Sequence, residues 1–168
     1  MRINFWTDDY SEYPGDSLIG ADLRERNLHR ANLSAADLSS ADLSRADLRN
    51  AEFIGARLRA TCFSVAKGMN AQFQGAHCQM ALFNGSIFSY ANFEDADLRE
   101  ADFTGSVLDG ASFVRANLIG ARMEWSSYEN PSLTGAAYDA TTIWPPGFSA
   151  SNYGAVLTRS DVRERDAD

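Results

Sequence analysis

A five-residue period runs through most of this 168-residue chain. Between residues 21 and 125 the third residue of each five-residue block is Leu or Phe in 18 of 21 blocks, and the first residue is Ala in 17. An α-helix buries a side chain about every 3.6 residues and a β-strand every second one, so neither produces this period. The pattern predicts a solenoid whose chain turns a corner once per block.

The central residues of the blocks sort by size when every fourth block is compared. Seven of the eight central phenylalanines form two such columns, Phe63, Phe83, Phe103 and Phe53, Phe73, Phe93, Phe113. The other two columns are mostly Leu. Because a close-packed core needs a similar filled volume in every layer, this sorting predicts four blocks per turn, with the two Phe columns on opposite walls.

The position two residues after each block centre is rich in glycine, as at Gly55, Gly75 and Gly85, and Asn50 and Asn70 share it. A type II turn needs a positive φ at its third residue, which Gly adopts freely and Asn with little cost. This position is therefore the predicted corner of the solenoid.

The blocks Ala31-Asn32-Leu33, Ala36-Asp37-Leu38 and Ala101-Asp102-Phe103 closely resemble those of the pentapeptide-repeat family. The resemblance covers about residues 16 to 140. It implies an all-β fold, a right-handed quadrilateral β-helix of about six coils with four blocks in each coil.

The two ends depart from the repeat and divide the chain into three predicted parts: a cap segment at residues 1–15, the β-helix at residues 16–140, and a C-terminal cap and tail at residues 141–168. We expect caps because the open ends of a solenoid expose its core; a dimer contact is the alternative.

The N-terminal aromatic residues are Phe5, Trp6, Tyr10 and Tyr13. The segment Thr142–Phe148 resembles the tail that follows the repeats in many bacterial, notably cyanobacterial, members. Residues 151–162 are predicted to form a short helix or loop, with Ala155, Val156 and Val162 packed on the last coil.

Gly68 is the one block centre that lacks a side chain, and Phe88, at the same position of the next predicted coil, is the one Phe of its column. Two interpretations remain open. Phe88 leans into the gap, or the chain bulges and displays Lys67 and Met69 to a partner.

Several function classes find no support in the sequence. The net charge is −8 and no basic stripe exists, so we expect no direct nucleic-acid binding. No apolar run approaches the roughly 18 residues of a membrane span and no N-terminal signal is seen, which favours a cytoplasmic protein without membrane contact. His29, His77, Cys62 and Cys78 lie in no recognised catalytic or metal-binding spacing, and a disulfide is not expected. We therefore expect no enzyme activity, cofactor or metal.

The position before each block centre faces outward and is usually polar, yet it holds Leu82, Ile87 and Val107, with Tyr90 at a corner beside them. An apolar patch of this kind can mark a binding surface, although β-propensity on an exposed strand explains it equally simply. The first hypothesis is a non-enzymatic interaction or scaffold protein that binds a protein partner or a second copy there. The alternative comes from the family resemblance alone: some members are DNA mimics that bind DNA gyrase and protect it from quinolones or toxins.

Overall fold

The computed structural model describes residues 2–5, 10–12 and 17–158. Equivalent residues of successive coils pair in parallel, through isolated bridges, and form four ladders that define four walls. Wall 1 carries Asp22, Asp42, Cys62, Leu82, Asp102 and Arg122, and wall 2 carries Asn27, Asp47, Lys67, Ile87, Val107 and Ser127. Wall 3 carries Asn32, Glu52, Gln72, Asn92, Ser112 and Ser132, and wall 4 carries Asp37, Arg57, His77, Asp97, Asn117 and Ala137. The predicted turn of four blocks is confirmed.

Backbone hydrogen bonds explain why each block turns once. The Leu28 N–H donates to the Asp47 carbonyl on the next coil at 2.8 Å, and the Ala31 N–H closes the corner by donating to the Leu28 carbonyl at 3.0 Å. The corner residue between them, Arg30, has a φ of 61°. The predicted corner position is thus confirmed.

The core contains stacked phenylalanines from walls 1 and 3, together with buried leucines and alanines. Phe53 and Phe73 stack at a centroid distance of 4.8 Å, and Phe63 and Phe83 stack at the same distance on the opposite wall. Across the core, Phe63 and Phe73 meet edge to face at 5.7 Å. The predicted pairing of large side chains with large ones is confirmed, and Cys78 is buried in the same core.

The chain does not bulge at Gly68. The Gly68 N–H donates to the Ile87 carbonyl at 2.7 Å, so wall 2 stays regular through this block. A Cβ on Gly68 would lie only 1.9 Å from Cε1 of Phe88, because the Phe88 ring fills the gap. Of the two interpretations of this block, the filled gap is confirmed and the bulge is wrong.

An N-terminal hairpin lies along the first coil. Strand β1 (Arg2–Phe5) pairs antiparallel with β2 (Tyr10–Glu12) and, on its other side, with β3 (Ala31–Asn32) of wall 3. The predicted aromatic residues Trp6 and Tyr13 lie outside the described residues. The hairpin occupies the backbone edge that wall 3 leaves open below Asn32.

The C-terminal segment extends wall 4 by one strand. On wall 1, the segment Asp139–Thr142 contains one residue more than the regular repeat, so Arg122 pairs with Ile143, 21 residues later, rather than with residue 142. A 3-10 turn (Ala150–Tyr153) follows, and β5 (Val156–Leu157) then pairs parallel with β4 (Ala137–Tyr138).

Of the short helix or loop predicted over residues 151–162, the part up to residue 158 contains no α-helix: residues 151–153 belong to the 3-10 turn, and β5 follows. The Val156 N–H donates to the Ala136 carbonyl at 2.8 Å. The segment therefore forms hydrogen bonds with the open backbone edge of the last coil rather than within a helix of its own. Ala155 is buried as expected, whereas Val156 is exposed. Val162 lies outside the described residues.

Candidate functional site

Asp and Asn at the ladder position have a structural task. The carboxylate of Asp102 accepts the N–H of Thr104 at 2.8 Å, and the side chain of Asn92 accepts the N–H of Glu94 at 2.9 Å. The same bond recurs at every Asp and Asn of the ladders between residues 22 and 117: Asp22, Asn27, Asn32, Asp37, Asp42, Asp47, Asp97 and Asn117. These side chains hold a corner N–H that the coil otherwise leaves without an acceptor.

Many acids of the coil are also paired with arginine. Asp47 and Arg49 approach to 2.6 Å, Asp97 and Arg99 to 2.7 Å, and Arg115 to 2.8 Å from Asp95. Hydrogen bonds from Arg24 lower the pKa of the Asp22 carboxyl to about 2. The walls therefore carry neighbouring charges of opposite sign, which cancel at a distance.

The middle of the rod lacks both the Asp or Asn side chains that accept corner N–H groups and the acids that pair with arginine. Eight consecutive blocks have neither Asp nor Asn at the ladder position: Glu52, Arg57, Cys62, Lys67, Gln72, His77, Leu82 and Ile87. Residues 53–93 contain no acid of any kind. Since four blocks make one coil, this acid-free band surrounds the rod for about two coils. The band was not among the predicted features, although the interval without acids between Glu52 and Glu94 is its direct signal in the sequence.

The apolar side chains singled out in the sequence lie in or beside this band, on two walls. Ile87 and Val107 are paired neighbours on wall 2, where Ile87 is 40% exposed and Val107 is half-buried. Tyr90, 63% exposed, stands at the corner between walls 2 and 3. Leu82 belongs to wall 1, beyond the corner residue Gly85. The structure thus brings three of the four residues together on one wall and its edge.

Ile87 and Val107 forgo the corner hydrogen bond that Asp or Asn would make, as do the other ladder residues of the band. Because Ile and Val side chains cannot accept a hydrogen bond, the N–H groups of Ser89 and Asp109 have no acceptor among residues 17–158. A local rule that is broken with no local compensation is expected at functional positions more often than elsewhere.

Two apolar residues at the corners of wall 2 were not part of the predicted patch. Val65 is 54% exposed and Met69 is 43% exposed, and both flank Lys67. Val65 has a φ of 60°, a left-handed conformation that is unfavourable for a β-branched side chain. An exposed valine in this conformation costs stability, so folding does not explain its presence.

Wall 2 is bordered by Tyr90. A Cβ on Gly110 would lie 2.5 Å from Cδ1 of Tyr90, so the tyrosine ring lies over the glycine of the next coil. On the opposite corner, Gly85 and Gly105 have no side chains. We name the exposed surface formed by Val65, Lys67, Met69, Ile87, Tyr90 and Val107 the wall 2 surface.

Other functional groups are scattered. His29 lies 3.3 Å from the amide of Asn50, while His77 is on wall 4. Burial raises the pKa of the Cys78 thiol far above its usual range. In the described ranges no three His, Cys, Asp or Glu side chains come together in a metal-binding group, and no helix there is long and apolar enough to cross a membrane.

Comparison with known proteins decides the family. The family described as pentapeptide repeats (8 copies) matches residues 27–64, 69–105 and 96–127. The chain belongs to the pentapeptide-repeat family. Pentapeptide-repeat proteins fold as right-handed quadrilateral β-helices, which agrees with the four ladders described above.

Solved structures of pentapeptide-repeat proteins resemble this one. HetL, involved in heterocyst differentiation regulation in the cyanobacterium Nostoc sp. strain PCC 7120, is 20% identical; the match covers 83% of this chain and 80% of HetL, with a TM-score of 0.49. QnrB1, a plasmid-mediated fluoroquinolone resistance protein, is 13% identical over 84% of this chain and 91% of its own, with a TM-score of 0.40.

A pentapeptide-repeat protein of the Arabidopsis thaliana thylakoid lumen is 24% identical over 74% of this chain and 66% of its own, with a TM-score of 0.35. At these identities and TM-scores the likeness does not extend to a partner. The comparison with curated protein sequences gave no match.

Proposed function

We propose that this pentapeptide-repeat protein is a non-enzymatic interaction module, and that the wall 2 surface binds a protein partner. The observation that carries the proposal is the pair Ile87 and Val107, stacked on adjacent coils at positions where Asp or Asn would make a corner hydrogen bond. Both side chains reduce local hydrogen bonding and place apolar area in water. Burial of this apolar area against a partner would compensate for the second cost.

The β-propensity of Ile and Val is the simplest competing explanation. It accounts for Ile87 and Val107, because both are strand residues. It does not account for Val65 and Tyr90, which occupy corners at φ values of 60° and 59°. Strand preference cannot favour a side chain at a left-handed corner, so the collection of four apolar residues supports the binding proposal.

The test uses a variant that is expected to fold. Ile87→Asn with Val107→Asn removes the apolar pair and introduces the side chain that caps corners elsewhere in the coil. The matched control, Gln72→Asn with Ser112→Asn, places the same residues at the ladder position of wall 3. We expect proteins captured by the wild-type chain from its own cells to be retained by the control and lost from the wall 2 variant.

Self-association is distinguished by light scattering on the same three proteins. A dimer in the wild type and the control that becomes a monomer in the wall 2 variant would identify a second copy as the partner. If captured proteins and oligomeric state are the same for all three chains, the wall 2 surface is not the binding site.

Gyrase binding by DNA mimicry remains the alternative, with less support from the charges. A mimic must present a continuous negative field, whereas the coil acids are paired with arginine and the band at residues 53–93 contains none. A supercoiling assay decides between them. We expect neither inhibition of gyrase nor protection from a quinolone at micromolar protein; either effect would favour the alternative.

The ends of the rod are proposed to be caps, with boundaries at residues 1–15 and 141–168 around about six coils. Pairing of β1 with Ala31–Asn32 supports the first. An aromatic cluster supports the second: the ring centroid of Trp125 lies 5.8 Å from that of Trp144 and 5.3 Å from that of Phe148. Trp125 in turn reaches the last stacked phenylalanine, Phe113, at 6.4 Å.

A further inference from the structure

The strand backbone of wall 2 is paired within the coil, and the N–H groups left without an acceptor, those of Ser89 and Asp109, lie at its corners. The Gly68 N–H donates to the Ile87 carbonyl at 2.7 Å, the Phe88 N–H to the Val107 carbonyl at 2.9 Å, and the Ile87 N–H to the Ala66 carbonyl at 2.9 Å. An extended segment laid across this wall would find no acceptor for its own N–H groups and would leave most of its C=O groups without partners in the contact. A helix satisfies its backbone internally and can dock through side chains alone.

The spacing of the exposed side chains suits a helix. Lys67, Ile87 and Val107 lie on successive coils of one ladder, about 4.8 Å apart. Side chains on one face of an α-helix recur about once per turn, and successive turns are about 5.4 Å apart along the helix axis. Over the two steps from Lys67 to Val107 the mismatch is only about 1 Å, which side chains absorb by small changes of rotamer. Three successive turns of a helix can therefore each meet one coil.

The charge of the wall 2 surface indicates which residues a partner should carry. In the acid-free band Arg57 lies 3.7 Å from Asp37, and Arg59 lies 3.3 Å from the sulfur of Met80. Lys67, in contrast, is exposed and has neither an ion pair nor a side-chain hydrogen bond among the residues that the structure describes. The nearest acid on its ladder, Asp47, already binds Arg49. An incoming carboxylate would thus meet a free ammonium group surrounded by Val65 and Met69.

We infer that the partner of the wall 2 surface contributes an amphipathic α-helix. The helix lies along the rod axis with apolar residues against Ile87 and Val107 and a Glu or Asp against Lys67. The Tyr90 ring forms a ridge along one side of the helix, while the glycine corner at Gly85 and Gly105 leaves the other side open. This inference rests on the interaction surface proposed above and adds the chemistry of its occupant.

The experiment selects helices from a display library. Peptides of about 18 residues, long enough to form helix in water, are built on an alanine-rich frame and randomised on one face. They are selected on the immobilised full-length chain and counter-selected on the Ile87→Asn, Val107→Asn variant. We expect enriched peptides to carry apolar residues at spacings of three and four, with an acid one turn beyond them.

Synthetic versions of an enriched peptide supply the matched measurements. A central proline should abolish binding, because it breaks the helix. Lys67→Ala should weaken binding about two- to fivefold, the range of an exposed ion pair. Arg59→Ala, in the same band but at another corner, should have no effect. Lys67→Glu should weaken the acidic peptide and strengthen the version in which Lys replaces its acid.

The outcomes separate the two proposals. Peptides that need Ile87 and Val107 but tolerate proline, or that ignore the charge at position 67, overturn the helix inference and leave the wall 2 surface as a binding site. Enrichment that the Ile87→Asn, Val107→Asn chain shows equally overturns both. Light scattering that reveals a dimer joined through wall 2 also overturns the inference, because this chain has no α-helix between residues 17 and 158.

Discussion

Phe88 fills the volume that a side chain on Gly68 would occupy. A Cβ at residue 68 would lie 1.9 Å from Cε1 of the Phe88 ring, and the ring also meets Phe83 edge to face at 5.3 Å. The pair is one packing unit divided between two coils of wall 2, and each residue is suitable only because of the other.

The first prediction exchanges this pair. Phe88→Leu leaves a cavity and Gly68→Leu overfills the site, so each alone should lower the free energy of unfolding by about 1–3 kcal/mol. The double variant has Leu at both positions, as its column already has at Leu48 and Leu108. Its free energy of unfolding should lie within about 1.5 kcal/mol of the wild-type value. Urea unfolding of the four proteins measures the coupling. Additive losses would show that Phe88 does not fill the gap.

The second prediction concerns the strained corner at Val65. Asn accepts a left-handed conformation far better than a β-branched residue, so Val65→Asn should raise the free energy of unfolding by about 1 kcal/mol. Val114 precedes its own corner residue and has no positive φ, so it is the matched control. Thermal unfolding should distinguish Val65→Asn from Val114→Asn. Equal changes in the two variants would mean that Val65 is not strained.

The third prediction tests the corner hydrogen bond. Asp102→Ala removes the acceptor of the Thr104 N–H and should cost about 1 kcal/mol. Asp102→Asn keeps an oxygen in the same place and should leave stability nearly unchanged. Urea unfolding of both variants provides the measurement. If Asn and Ala have the same effect, charge rather than hydrogen bonding explains the preference for Asp.

The fourth prediction concerns pH and the C-terminal corner. Hydrogen bonds from Thr141, led by its hydroxyl at 2.6 Å, hold the pKa of the buried Asp139 carboxyl below its usual value. Because the pKa is lower in the folded chain, the carboxylate stabilises the fold above its unfolded pKa of about 3.9, and this is lost as pH falls through the folded value.

Asp139→Asn should therefore be less stable than wild type at pH 6, and the difference should shrink below about pH 4. Urea unfolding followed by tryptophan fluorescence reports on this end of the rod, where Trp125 and Trp144 pack together. Asp102→Asn provides the control for a more exposed acid. A difference between Asp139→Asn and wild type that stays constant from pH 6 to about pH 2.5 would contradict the assigned role.

The site could be predicted only in part. Ile87, Val107 and Tyr90 stand out in the sequence because they are apolar at positions that are usually polar, and the structure brings them to one wall and its corner. Leu82 is apolar at the same outward position of its block, yet a corner separates it from wall 2. The strain at Val65 could not be read from the repeat, since its slot accepts many residues and the cost depends on the φ that the coil imposes.

The sequence by itself determined the coil. The five-residue period and the sorting of phenylalanines at every fourth block are consequences of packing that repeats along the chain, so the sequence carries this information many times. Only the structure decided that the Phe88 ring fills the gap at Gly68. Tertiary structure alone decided the ends and the task of the polar ladder residues. The strand at Val156–Leu157 forms because the last coil exposes unpaired backbone groups, as the Val156 bond to Ala136 shows. No local preference of residues 151–162 encodes that edge, which exists only after the coils have stacked.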